Sequence, residues 1–97
     1  MREKQVEQAL IKAVRLSGGM AVKFVSPGWD GAPDRIVLFP GEKIAFIEVK
    51  APGKKMRPLQ MKRKQQLEDM GFQVYCLDRI EDIDDTIERI KKGGDAA

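Results

Sequence analysis

Ninety-seven residues, 42% hydrophobic and 34% charged, give room for one small domain with a marginal core. The absence of histidine and the single cysteine exclude histidine-based general-base catalysis, Cys-His dyads, a disulfide framework and ordinary zinc sites. Net charge is only +3, and with no apolar run near the ~20 residues of a membrane span and no secretory pattern, a reducing cytoplasm is the expected compartment.

Val6, Leu10, Ala13 and Val14 recur at helical spacing, which predicts an amphipathic helix over 3–17, stopped by Ser17-Gly18-Gly19. Met20 to Val25 reads as a strand ended by Pro27-Gly28, and Trp29-Asp30-Gly31 as a loop leading to Pro33. Ile36–Phe39 and Ile44–Lys50 flank Pro40-Gly41-Glu42-Lys43, the pattern of a hairpin. Both faces of these runs are apolar, as in central strands covered on two sides.

Ala51-Pro52-Gly53 ends the hairpin. Pro58 opens a helix to Met70, with Leu59, Leu67 and Met70 as its buried stripe, and Gly71 closes it. Phe72 to Leu77 is a fourth strand, in which Tyr75 and Cys76 read as core residues. Ile80, Ile83, Ile87 and Ile90 line a last helix, with acids at its start and Lys91-Lys92 at its end to suit the helix dipole. Residues 93–97 read as a frayed tail. The expectation is a single α/β domain of order α-β-β-β-α-β-α, a mixed sheet flanked by helices.

Turned symmetrically about Gly41, the hairpin sets Asp34 opposite Glu48. Facing residues have Cβ atoms about 4.5–5.5 Å apart, so two carboxylates there repel unless a cation lies between them. Mg²⁺ or Mn²⁺, which takes oxygen ligands, is the natural candidate. Lys50, two residues beyond Glu48, projects from the same face.

Charge is unevenly distributed. Lys50, Lys54, Lys55, Arg57, Lys62, Arg63 and Lys64 form a stretch without acids, whereas Asp78, Glu81, Asp82, Asp84, Asp85 and Glu88 crowd the last helix. A basic stripe beside an acidic site points to a polyanionic substrate that needs a cation for its chemistry.

Gly31-Ala32-Pro33-Asp34, Glu48-Val49-Lys50, Pro58-Leu59-Gln60 and Gly71-Phe72-Gln73-Val74, in that order, resemble the PD-(D/E)XK nuclease superfamily and within it the VRR-NUC domain (virus-type replication-repair nuclease). The resemblance spans nearly the whole chain, with residues 1–92 as the domain. It implies a restriction-endonuclease-like fold and a metal-dependent endonuclease of phage or bacterial replication and repair, in a bacterium or a phage-infected host cell. Asp34 and Glu48 would be metal ligands with the Val49 carbonyl as a third. Lys50 would orient the attacking water or steady the phosphate charge. An acid on the first helix, Glu7 with Glu3 as the rival, would complete the site, and Gln60 would help position the helix or the phosphate. Lys54, Lys55, Arg57, Lys62, Arg63 and Lys64 would hold the DNA backbone. Stand-alone members are similar in acting as dimers on branched DNA such as four-way junctions. Arg57 stands where the family often has Ser or Thr as a helix cap, so a weaker cap and an added phosphate contact are expected.

Duller readings compete. Asp34 alone could start a turn, and Glu48 with Lys50 could be an exposed strand edge. Trp29 could stack on a base or fill the core; Met56 and Met61 read as packing residues. The alternative function is a non-catalytic nucleic-acid-binding accessory protein, for which the acids at 34 and 48 are dispensable, and RNA is open as a substrate. A purely structural oligomerisation protein would leave the basic stripe unexplained.

Overall fold

The computed structural model describes residues 1–93, so most of the tail expected at 93–97 lies outside the described residues. The elements follow the expected order: α1 (Glu3–Leu16), β1 (Met20–Lys23), β2 (Arg35–Phe39), β3 (Lys43–Val49), α2 (Pro58–Asp69), β4 (Gln73–Leu77) and α3 (Ile83–Lys91), the last entered through a 3₁₀ turn at Ile80–Asp82. The strands form one sheet in the order β1-β2-β3-β4. The first three run antiparallel and β4 runs parallel to β3, with α2 as the crossover that a parallel pair requires.

The hairpin register is the one its turn dictates. Arg35 faces Ile47, Ile36 faces Phe46 and Val37 faces Ala45, which is pairing about Gly41. The turn holds two consecutive residues at positive φ, Gly41 at 84° and Glu42 at 62°. Alternation then assigns the faces. Val37, Ala45, Ile47, Val49 and Leu77 meet Val6, Leu10 and Val14 of α1 and Ile83, Ile87 and Ile90 of α3 in the main core. On the opposite face Phe46, Leu67 and Val74 form a smaller core, joined by Phe24, Trp29 and Ile36.

That second face corrects several expectations. α2 buries Leu67 and Gln60, but Leu59 is 40% and Met70 75% exposed. The helix is polar nearly all round and lies over β4, so it covers only part of the sheet. Met20, Leu38, Ile44 and Phe72, which share one row on this face by register, are exposed or only half-buried. The central strands are therefore not fully covered on both sides. Met61 is exposed rather than packed, and Met56 and Tyr75 are half-buried. Cys76 is exposed rather than buried. Trp29 sits half-buried in that core with its ring 6.4 Å from Phe24.

The helix starts use glutamine. Gln60 Oε1 accepts the Arg57 N–H at 2.8 Å, and Gln5 Oε1 accepts the Arg2 N–H at 2.7 Å. An arginine side chain has no acceptor, so each helix start carries only this half of a capping box. Arg57 makes no side-chain cap, as expected from its chemistry.

Candidate active site

Asp34 is set by backbone bonds on both sides before its carboxylate does anything. Its N–H donates to Ile47 O at 3.0 Å, and its carbonyl accepts the Phe24 N–H at 2.9 Å. The chain reaches it through Gly31, at φ 83°, and the buried Pro33. A Cβ on Gly31 would lie 2.8 Å from Leu59 Cγ and 3.1 Å from the Leu59 backbone, so only glycine fits under the first turn of α2. The Asp34 Oδ2 then accepts the Val49 N–H at 2.9 Å.

Glu48 lies on the α2 face of β3, 2% exposed. Gln60 Nε2 donates to Glu48 Oε2, while Lys50 Nζ stands 3.6 Å from the same oxygen. The other oxygen, Oε1, is buried with no hydrogen-bond partner. Burial, and after it the charge of Asp34, pushes the Glu48 carboxyl up to about 7 against the smaller pull of Lys50. Burial thus favours the protonated form of Glu48 in the absence of a metal. A hard cation fits this donor set. It would satisfy the orphaned oxygen, remove the repulsion from Asp34 and replace the proton.

The structure brings together Asp34, Glu48, Lys50 and Gln60, with the Val49 backbone between the carboxylates. It does not bring Glu7 to them. Arg35 alternates to the α1 face of β2, and its Nε binds Glu7 Oε2 at 3.0 Å while its Nη1 donates to Ala21 O at 3.2 Å. Glu3 is exposed on the first turn of α1. Among the described residues no third acid, histidine or cysteine joins Asp34 and Glu48 in a cluster able to hold a metal ion. The Glu7 carboxylate expected to complete the site is paired with Arg35.

The basic stripe also divides. Lys54, Lys55, Arg57 and Lys62 are exposed. Lys64 is held by Glu68 at 2.7 Å. Arg63 lies over Trp29, with its guanidinium 4.9 Å from the ring centroid. Sequence reasoning missed this stacking and the Arg35–Glu7 pair, and it missed Cys76, which faces Glu48 across the β3–β4 ladder. Partial burial, then the Glu48 and Asp78 charges, push the Cys76 thiol pKa up, which is the wrong direction for a nucleophile. Arg63 lies three residues after Gln60 and four before Leu67, the two buried residues of α2, so helical spacing places it on their face; which loop it meets there is not encoded locally.

A mixed four-stranded sheet carrying such a carboxylate pair invites comparison with known proteins. No family profile matches the chain. A phage protein named "Putative nuclease p44", from Acyrthosiphon pisum secondary endosymbiont phage 1, is 49% identical over 78 residues, covering 80% of this chain and 84% of that protein. A solved structure described as a VRR_NUC domain superposes with a TM-score of 0.82 at 28% identity, over 89% of this chain and 94% of its own. Fold and relatives together mark the molecule as a nuclease. The chain belongs to the VRR-NUC family.

Proposed function

We propose that the chain is a divalent-metal-dependent DNA endonuclease, selective for branched DNA such as four-way junctions and acting as a homodimer in phage or bacterial replication and repair. One observation carries the metal dependence: a 98%-buried glutamate with an unpartnered oxygen beside a second carboxylate. Asp34 and Glu48 would hold Mg²⁺ or Mn²⁺ with the Val49 carbonyl, leaving the remaining positions to water. A cation there supplies charge neutralisation and a more acidic bound water.

The protein's own residues do the rest. Lys50 puts a fixed positive charge where negative charge develops on the phosphate. Gln60 holds one oxygen of Glu48 and leaves the other without a partner. The exposed Lys54, Lys55, Arg57 and Lys62 contact phosphates, which gives affinity without sequence preference and leaves shape as the readable property. The partly uncovered row Met20, Leu38, Ile44 and Phe72 supports dimerisation, since it carries no charge and a small core benefits from further burial. A two-fold dimer would present two sites to two strands.

Incubating the pure protein with labelled duplex, flap and four-way DNA in Mg²⁺, Mn²⁺ or EDTA tests this reading. Cleavage in metal but not in EDTA, strongest on the four-way substrate, is expected; no cleavage of any substrate would overturn it. The engagement of Glu7 by Arg35 favours a second reading, a nucleic-acid-binding protein without catalysis. Asp34→Asn separates the two: the nuclease loses cleavage and keeps binding, whereas the passive binder has no cleavage to lose.

A further inference from the structure

The loop between β1 and β2 carries Trp29, Asp30, Gly31, Ala32 and Pro33 directly into Asp34, and α2 grips it at two successive turns. Leu59 packs against Gly31 so closely that a Cβ there would collide with it. One turn on, Arg63 Nε donates to the Asp30 carbonyl at 2.7 Å, Nη1 donates to Gln66 Oε1 at 2.9 Å, and the guanidinium plane lies over Trp29. The same helix holds Glu48 through Gln60.

We propose that Arg63 is a positioning residue. It locks the Trp29–Pro33 loop onto α2 and so sets Asp34 against Glu48, instead of contacting the phosphate backbone with the rest of the basic stripe. The inference rests on the reading of Asp34 and Glu48 as the metal pair. A planar guanidinium can stack on an indole and donate in two directions at once, whereas a lysine ammonium keeps the charge but not the fork. α2 thereby controls both carboxylates, one by a direct hydrogen bond and the other through four residues of loop. Two of the arginine's donors, on Nε and Nη1, are engaged within the protein and its plane is turned to Trp29, so its orientation is set by the loop and not by a phosphate.

Arg63→Lys, Arg63→Ala and Lys62→Ala test this, with four readouts on the intact chain, the thermal unfolding midpoint among them. Mn²⁺ affinity is read from the electron paramagnetic resonance of the free ion. Emission of Trp29, the chain's single tryptophan, reports the loop. The salt dependence of DNA binding in EDTA reports phosphate contacts. Both Arg63 variants should weaken Mn²⁺ binding by about tenfold or more, in the range seen when groups supporting metal ligands are removed. Both should shift Trp29 emission, and Arg63→Lys should keep the wild-type salt slope. Lys62→Ala should lower that slope by about 0.9 and leave Mn²⁺ binding alone. In the Asp34→Asn background, Arg63→Ala should cost no further Mn²⁺ affinity.

The proposal is overturned if Arg63→Ala lowers the salt slope by about one contact with Mn²⁺ affinity intact, or if Arg63→Lys matches wild type throughout. It is equally overturned if the variants lower only the thermal unfolding midpoint, which is the mark of a merely structural role. Should Arg63→Ala not fold, Arg63→Lys carries the test. A wild type that binds no Mn²⁺ overturns the nuclease reading itself, a result visible before any variant is made.

Discussion

Gln60 joins the start of α2 to Glu48 through the two ends of one amide: the oxygen accepts the Arg57 N–H and the nitrogen donates to Glu48 Oε2. A polar side chain is 7% exposed here because both its functions are satisfied. Gln60→Ala should therefore do two separable things. Losing the cap should cost about 1 kcal/mol of stability, read by denaturant unfolding. Releasing Glu48 should lower kcat for DNA cleavage by about tenfold or more while the DNA Kd stays within a factor of two. Gln60→Glu should lower kcat further, since it sets a third carboxylate against the pair.

Glu48 gives a pH dependence with a definite sign. Its carboxyl is raised from 4.5 to about 7 in the fold, so between those values the folded protein holds more protons than the unfolded chain. Stability of the metal-free protein should consequently fall as pH rises from about 4.5 to about 7 and level off above. Glu48→Gln should flatten that decline and be the more stable protein at pH 8 in EDTA. Thermal unfolding across pH, with and without Mg²⁺, checks both; saturating metal should restore the wild type at high pH. A metal-free midpoint that rises through this window would contradict the assignment.

The hairpin was legible because two independent signals agree. The Pro-Gly turn fixes the register and strict alternation fixes the faces, and a slip by one residue would have turned every apolar side chain over. What α2 buries was not legible. Helical spacing of Leu59, Leu67 and Met70 suggests a stripe, but burial depends on how much sheet lies beneath, and only Leu67 found it. The partner of the α1 acid was not legible for a related reason. Periodicity places Glu7 beside the buried stripe correctly, yet cannot say that α1 packs on the face where Arg35 projects. Cys76 depended on a parallel pairing made across a whole intervening helix, which no local pattern encodes.

Gly31→Ala should be among the most damaging single substitutions outside the carboxylates. It adds a Cβ at φ 83° and drives it into Leu59. A loss of roughly 2–3 kcal/mol is expected from strain and collision together, with cleavage falling more than stability because the loop delivers Asp34. Pairing it with Leu59→Ala should recover part of the stability by removing the obstacle. Denaturant unfolding of the single and double variants decides the point.

The exposed lysines should act on DNA binding alone. Lys54→Ala and Lys55→Ala should each weaken binding to every DNA shape by a similar factor and lower the salt slope by about 0.9. Lys64→Ala should change the slope little, because its ammonium is engaged by Glu68. Fluorescence anisotropy at several salt concentrations in EDTA reads all three.

Calorimetric titration of Mn²⁺ into wild type, Asp34→Asn and Glu48→Gln at pH 8 probes most directly whether side chains from adjacent strands share one ion. Saturable binding by the wild type that is lost or weakened at least tenfold in both variants, with the fold preserved, is the outcome expected here. Wild-type affinity in either variant would mean that the two carboxylates hold no ion between them, and the metal centre proposed for this protein would have to be abandoned.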